Sequence, residues 1–502
     1  MAKFNKTTKN VTVETTNMAG GVSYERNDPR KEIVSVILNS MLNGDTYYET
    51  EEDRMKRIES LLITNIKDAE FLAKTMVYVR NEGNLRSISH LMGVILSENV
   101  KGETFMKQAL LKSLVRPDDA TEMLSLWNER NRNKMIPNVL RKGIKSSLEK
   151  RWDAYQLRKY YGNGNSVKVS NLIQIAHPKP RDENQRLTFK QALEGTLPNI
   201  DTAQTINASS KGENRVNNYF KVILEGKLGY MATLKNLSNI LSAMVDMSRE
   251  DKELMIDKIS DLLRNKKACL KSRVLPFRFV QAFETVNSMN IDRILSKKLI
   301  SAIEDGFILS AGNVSIVEEG ESIAILLDES GSMGWSGDAK EPFDIGKTLM
   351  ASMLTGLDKS KTIGYLWASR TREVSVDGSP FEFIKNTKTH GGGTDVWSPM
   401  SKLIESKTYV DKLVILTDMQ MYSVGGGNRK FADMVTEYRK INPNVKVLFW
   451  NLNGYAGGTP TKLTHNILEV SGYSDKMLDV ISKIWQDKDA LIKEIEKIDL
   501  TI

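Results

Sequence analysis

The stretch ESIAILLDESGSM, residues 321–333, decides how the second half of this chain folds. Its apolar run is short, branched and without a polar alternate, the pattern of a strand buried on both faces, and it stops at Asp328. Three later runs have the same character: KTIGYLWAS (361–369), DKLVILTDMQ (411–420) and VKVLFWNLN (445–453). Between them lie segments with helical periodicity, FDIGKTLMASMLTGL (343–357), VWSPMSKLIES (396–406) and FADMVTEYRKI (431–441). This alternation predicts an α/β doubly wound parallel sheet over residues 315–502. Ligands of such sheets gather beyond the carboxyl ends of the strands.

That edge is where the sequence concentrates oxygen donors. Asp328, Ser330 and Ser332 follow the first strand in a D-x-S-x-S spacing, Thr394 stands in GGGTD before a helix, and Asp418 closes VILTDM. A small hard cation such as Mg2+ takes about six oxygen ligands, keeps several waters, and needs only a few protein groups. The five residues resemble the metal-ion-dependent adhesion site of von Willebrand A and integrin I domains, which are Rossmann-like. The resemblance implies Mg2+ or another divalent cation, with an open position that an acidic residue of a partner fills. The competing interpretation makes Asp328 a helix cap and the serines part of a tight turn.

Other chemistry is poorly supported. Gly346-Lys347-Thr348 looks like the end of a phosphate loop, but Glu341 stands where that motif needs glycine, and the tripeptide lies inside a helical pattern. The four histidines, His90, His177, His390 and His465, are scattered, and no G-x-S-x-G or H-E-x-x-H occurs. The expectation is a protein that is not an enzyme. The single cysteine, Cys269, excludes a disulfide framework and fits a reducing compartment, so the cytoplasm is expected. The amino terminus has no apolar h-region, and no run approaches the roughly 18 residues of a membrane span, so neither export nor membrane insertion is expected.

From about residue 30 to 305 the apolar spacing is three and four, as in DAEFLAKTMVYVR (68–80) and GETFMKQALLKSLV (102–115). Asp68 and the stretch from Arg116 to Glu122 read as helix starts. Successive short helices predict an irregular solenoid of helix pairs over 26–310. Two loops interrupt it, Gly162–Ser166 and Asn207–Asn218, and residues 1–25 read as a mobile tail. Charge divides between the halves. Residues 1–300 carry a net +14 and 301–502 a net −6, and residues 101–200 hold 19 Lys+Arg against 10 Asp+Glu, so the helical half is the part suited to a polyanion.

The helical half carries NGDTYYETEE (43–52), IPNVLRKGIKSSL (136–148), RKYYGNGNSVKVSNLIQIAHPKP (158–180), KLGYMATLKNLSNIL (227–241) and LKSRVLPFRFVQAFETV (270–286). These resemble the telomerase, Ro and vault (TROVE) module, and a von Willebrand A domain after that module is the arrangement of Ro proteins, here bacterial or phage-encoded. The resemblance implies an all-α, HEAT-like ring closed by the A domain. It further implies small noncoding Y-like RNA on a basic outer surface, single-stranded 3′ ends of misfolded RNA in a central hole, and a role in noncoding RNA quality control. A monomeric protein in a ribonucleoprotein and an exoribonuclease partner such as polynucleotide phosphorylase belong to the same picture. Carried over by motif, Lys159 and His177 fall in the Y-RNA segment, Arg141 and Lys142 in a basic helix, and Lys271, Arg273 and Arg278 in a second basic patch. Asn163 departs from the pattern, standing where animal Ro proteins carry a further basic residue. Tyr155, Tyr160, Tyr161 and Tyr230 are either base-stacking platforms or core residues, and Arg141, Lys142 and His177 are equally read as a solvated face and a helix end. The alternative function is a metal-dependent protein-adhesion module with the helices as a platform.

Overall fold

Helices stack in two layers through the first third of the computed structural model, which describes residues 13–501 except 27, 41–44, 133, 161–166, 199–212, 246, 273, 275, 312–315, 319, 335–341, 356, 396, 423–429, 473–484, 486 and 488. Ala69–Asn81, Thr104–Ser113, Asn138–Lys150 and Val169–Ala176 pack successively in one layer. Glu51–Thr64, Arg86–Asn99, Pro117–Arg130 and Ala154–Tyr160 pack in the other, so every second helix is a neighbour, as in a solenoid of helix pairs. The approach is close where glycine permits it: a Cβ on Gly143 would lie 2.6 Å from the Cβ of Leu110. Asp68 does precede its helix, but its carboxylate pairs with Arg30 (2.6 and 3.0 Å) and makes no cap bond.

The chain has separate cores. Residues from Ile33 to Leu197 form one with one face of the sheet, whereas Tyr219 to Phe307 form a second that reaches the α/β part through Ala351, Phe381 and Ile384. Both helical bodies therefore lean on the same domain. Pro29–Asn39 packs on the last strand of the sheet and the late helix Ala490–Glu496 on Ala69–Asn81, while Pro276–Ser288 and Arg293–Ala311 pack on Pro342–Leu354.

That domain is a six-stranded sheet ordered β5-β4-β3-β6-β7-β8, with β3 Ile323–Asp328, β4 Thr362–Trp367, β5 Thr371–Val374, β6 Lys412–Thr417, β7 Lys446–Asn451 and β8 Ile467–Ser471. All neighbours run parallel except β4 and β5. Every residue of β3 is buried because alternate side chains serve different layers: Ile323, Ile325 and Leu327 join Phe343, Met350 and Met353 on one face, Ala324 and Leu326 join Met400, Met434 and Tyr438 on the other. Gly346-Lys347-Thr348 lies within the helix Pro342–Leu354, where Lys347 pairs with Asp344 at 2.6 Å.

Three expectations need correction. The segment taken as a mobile tail contains an antiparallel hairpin, β1 Glu14–Thr16 with β2 Val22–Tyr24, which bridges to Thr459 of the α/β domain. The loop placed over Asn207–Asn218 is helical from Glu213, in Glu213–Leu224, and its first residues lie outside those described. The C-terminal Ala490–Glu496, counted with the sheet domain, packs on the first helical body as well, while Leu491 and Ile492 line a cavity with β8. The Gly162–Ser166 loop, with Asn163, lies outside the described residues.

Candidate cation site and RNA interface

β3 and β6 are adjacent in the sheet, and the chain's path reverses between them, so their carboxyl ends form the crevice a doubly wound sheet offers to ligands. Asp328 ends β3 and Asp418 follows β6, both fully buried. Asp328 accepts from the Ser330 backbone N–H (2.9 Å) and from the Thr417 hydroxyl (2.8 Å). Ser330 and Ser332 bring their hydroxyls within 3.3 Å of one another. Asp418 accepts from the Gln420 N–H (3.0 Å) through one oxygen, while its Oδ2 is buried without a hydrogen-bond partner. The GGGTD loop is tied to this edge by Gly331 N–H to Gly392 O (3.1 Å), which places buried Thr394 two residues on. All five residues predicted from the sequence thus meet at one edge.

Burial, followed by the charge of Asp418, raises Asp328 above the ordinary carboxylate range, and burial raises Asp418. Two dry carboxylates with one unpartnered oxygen, surrounded by hydroxyls, fit a small hard divalent cation. Among the described residues no group of three or more His, Cys, Asp or Glu could hold a metal, so such a cation would depend on hydroxyl ligands. Residues the sequence reading missed complete the edge. Tyr48, from the helical body, is half-buried near this edge, and burial, followed by the charge of Asp418, raises its pKa. Asn17 donates to Met421 O at 2.8 Å, and Met18 N–H to Gln420 Oε1 at 2.8 Å, which pins the turn just after Asp418. Met419 in that turn has φ +67°.

The predicted basic residues separate into two groups. Lys142 lines a groove of about 970 Å³ with Lys101, Lys107, Lys134 and Lys145, and the adjacent Arg141 is exposed, donating to Asn138 at 3.0 Å. His177 lies two residues before Lys179, whose N–H donates to Glu149 of the groove lining (2.7 Å). His177 ends its helix at φ +45° with an exposed side chain, so it is both a helix end and available to solvent.

Lys159 and Arg278 belong to the other group. Lys159 lies 5.5 Å from the Tyr160 ring centroid, and the Arg116 guanidinium lies 5.4 Å from the same ring. Lys235 is exposed yet lowered in pKa by its partly enclosed position and by the charges of Arg278, Arg116 and Arg86. Arg278 of the second body and Arg86 and Arg116 of the first are thus all near enough for their charges to act on Lys235. Arg86 and Arg116 are held from behind by Asp118 (2.9 and 3.1 Å), and Arg86 also by Asp119 at 2.9 Å. No periodicity signal marks Arg86, Arg116 or Lys235, because the helices that carry them are remote in sequence. Lys271 is exposed, and Arg273 is outside the described residues.

The tyrosines divide as well. Tyr230 is buried, donates to Leu263 O at 2.8 Å and packs edge-on to Phe279, so it is a core residue. Tyr160 is buried, Tyr155 is 54% exposed, and Tyr161 is not among the described residues.

Residues 207–306, the second helical body, match the TROVE domain family. The whole chain shares its fold with the Ro (RSR) protein of Deinococcus radiodurans: the match covers 92% of this chain and 100% of that one, with a TM-score of 0.59 and 15% identity. At that identity the likeness is one of fold, and at 92% of the chain it spans both helical bodies and the sheet. No curated protein matches the chain in sequence. Among the described residues no helix is long and apolar enough to cross a membrane.

Proposed function

We propose that this chain is a non-catalytic RNA-binding protein of the Ro type, and that its sheet domain is a von Willebrand A domain whose adhesion site holds Mg2+. The observation that carries the RNA reading is the convergence of Arg86, Arg116, Lys235 and Arg278, with Lys159 beside them, from two helical bodies with separate cores. Asp118, Asp119 and Glu122 offset the charge of Arg86 and Arg116, and the positive charge that remains with Lys235, Arg278 and Lys159 favours a polyanion beside them. This is the place for a single-stranded 3′ end of a misfolded RNA. The groove with Lys142, and His177 next to it, is the surface for structured, Y-like noncoding RNA, with a part in RNA quality control and stability.

The cation would be held by Asp328, Ser330, Ser332, Thr394 and Asp418. When bound it supplies a Lewis-acidic position for one carboxylate of a protein ligand, an exoribonuclease being the partner that suits an RNA-presenting scaffold. The orphaned Asp418 Oδ2 supports a second reading, in which capture of an acidic protein is the main activity and the helices are a platform. We place the protein in the cytoplasm, as a monomer within a ribonucleoprotein.

The test is RNA binding across a salt series with two labelled probes, a single-stranded oligonucleotide and a structured RNA. Lys159→Ala/Lys235→Ala should weaken the single strand selectively, and Lys142→Ala/His177→Ala the structured RNA. Binding at nonspecific strength for all proteins refutes the RNA reading; Mg2+-dependent capture of an acidic partner lost in Asp328→Ala would then leave the adhesion reading standing.

A further inference from the structure

The helix Pro276–Ser288 has two apolar faces. Phe279, Ala282 and Val286 enter the core of the second helical body, whereas Phe277, Val280 and Phe283 turn towards the sheet domain, with the amides of Gln281 and Asn287 on the same side. There they line a cavity of about 430 Å³, closed on its other side by the start of Pro342–Leu354 and by the short helix Pro380–Asn386. Clefts between domains are where small ligands collect, and this volume suits one of them.

One wall of the cavity is aromatic and firmly packed. Phe381 is fully buried between Phe283, stacked on it at 4.6 Å and 20°, and Phe307, edge-on at 5.3 Å. Phe283 is only half-buried, so the outer side of this stack faces the cavity. The polar lining is net positive. Lys347, with a side chain 10% exposed, is neutralised by Asp344 at 2.6 Å. The exposed Lys385 and Lys388 make no ion pair among the described residues, and Glu284 is the carboxylate that remains to set against them. Their stretch of backbone is fixed from behind, since Lys388 O accepts from Arg372 Nη2 (2.6 Å) and the Thr389 hydroxyl donates to Glu329 O (2.6 Å).

A flat π-system to continue the stack, joined to an anion that meets two lysines, is the chemistry of a nucleotide. We infer that this cavity binds a single nucleotide, its base on Phe283 and its phosphate at Lys385 and Lys388. Two sources carry that chemistry, a free nucleoside monophosphate and the terminal nucleotide of a bound RNA. Arg278 lies on the same helix with its guanidinium 5.4 Å from the Phe277 ring, so the cavity begins one residue from a cation of the proposed RNA path. The inference rests on the RNA reading only for the second source.

Adenosine 5′-monophosphate is the probe, titrated calorimetrically into the full-length wild type, Phe283→Leu and Lys385→Ala/Lys388→Ala. Phe283→Leu keeps an apolar side chain against Phe381 and removes the π-face, and the two lysines are exposed, so their loss leaves the fold intact. The expected result is one site per chain, weakened about fivefold or more in each variant, the lower end of what one stacked base contributes. Adenosine alone and inorganic phosphate alone should each bind more weakly. A fluorescent single-stranded oligonucleotide separates the sources: displacement by saturating adenosine monophosphate assigns the cavity to the RNA terminus, and undisturbed binding beside it assigns the cavity to the free nucleotide. Nucleotide binding by a protein that binds no oligonucleotide keeps the cavity and refutes the RNA reading. Nucleotide affinity within twofold of wild type in either variant overturns the inference. No nucleotide binding by wild type overturns it too, and oligonucleotide binding above nonspecific strength then keeps the RNA reading without it.

Discussion

Replacing Asp119 with Asn tests how the cations around Arg86 and Arg116 are held. Asp119 is fully buried and accepts from Arg80 Nη2 (2.7 Å) and Nε (3.2 Å), Arg86 Nε (2.9 Å) and the Arg116 backbone N–H (2.9 Å), with the His90 ring at 3.3 Å. The amide keeps the shape and deletes the charge. Arg80, with a side chain 8% exposed, is then left facing an amide, whereas Arg86 keeps Asp118 and Glu122. Stripping one partner from a buried ion pair costs about 3 to 5 kcal/mol, and the carboxylates left to Arg86 put this case near 3. At a urea slope of about 3 kcal/mol per molar, the midpoint followed by far-UV circular dichroism falls by roughly 1 M. The pH dependence has a definite sign. Burial alone would raise the Asp119 pKa, but the hydrogen bonds of His90 and Arg80 and the charges around it hold it well below the ordinary range. A depressed folded-state pKa gives stability that is present above the unfolded value, near 3.9, and is lost as the pH falls below it. The gap between wild type and Asp119→Asn should therefore be constant from pH 7 to about 5 and close only in stronger acid. A midpoint shift under 0.3 M at pH 7, or a gap that closes already at pH 6, would refute this account of the network.

Lys235→Ala and Arg278→Ala should each weaken binding of a single-stranded oligonucleotide and reduce the slope of log affinity against log salt by about 0.7, read by fluorescence anisotropy. Gly21→Ala places a Cβ 1.9 Å from Met421 O, so the hairpin must leave the turn after Asp418; a lowered melting temperature and weaker Mn2+ binding are expected in calorimetry. Tyr230→Phe removes the buried bond to Leu263 O and should cost about 1 kcal/mol in urea unfolding while RNA affinity stays at the wild-type value; a loss of affinity would restore Tyr230 as a stacking platform.

What the sequence shows and what it hides follow from distance along the chain. The strands around Asp328 and Asp418 are legible because burial on both faces leaves an uninterrupted apolar run, and these two carboxylates are legible because each closes such a run. β5 escapes because its residues are only partly buried, so neither an apolar run nor a clean alternation marks TREV. The hairpin at 14–24 escapes for another reason: its hydrogen-bond partners are not in the hairpin alone but in the turns at Met419–Met421 and Gly457–Thr459. Arg116 and Lys235 lie on ordinary amphipathic helices, and only the closure of two bodies on a third makes them neighbours. Tyr230 and Tyr155 sit at similar helical spacing, yet one is core and the other exposed; spacing alone does not say which helix face finds a partner.

The hairpin's docking also bears on how the molecule is made. Asn17 leaves the ribosome early, but Met421, the carbonyl it binds, lies 404 residues later. Until the sheet is complete, β1 and β2 are a two-stranded ribbon with no surface to rest on, and such ribbons are marginal in water. Contacts of that separation form late and slowly. The edge around Asp418 is thus assembled from segments some 400 residues apart, and a molecule arrested before residue 421 would present both helical bodies while lacking β7 and β8, the latter being the strand on which Pro29–Asn39 packs. Translation itself sets the order: basic surfaces first, closure last.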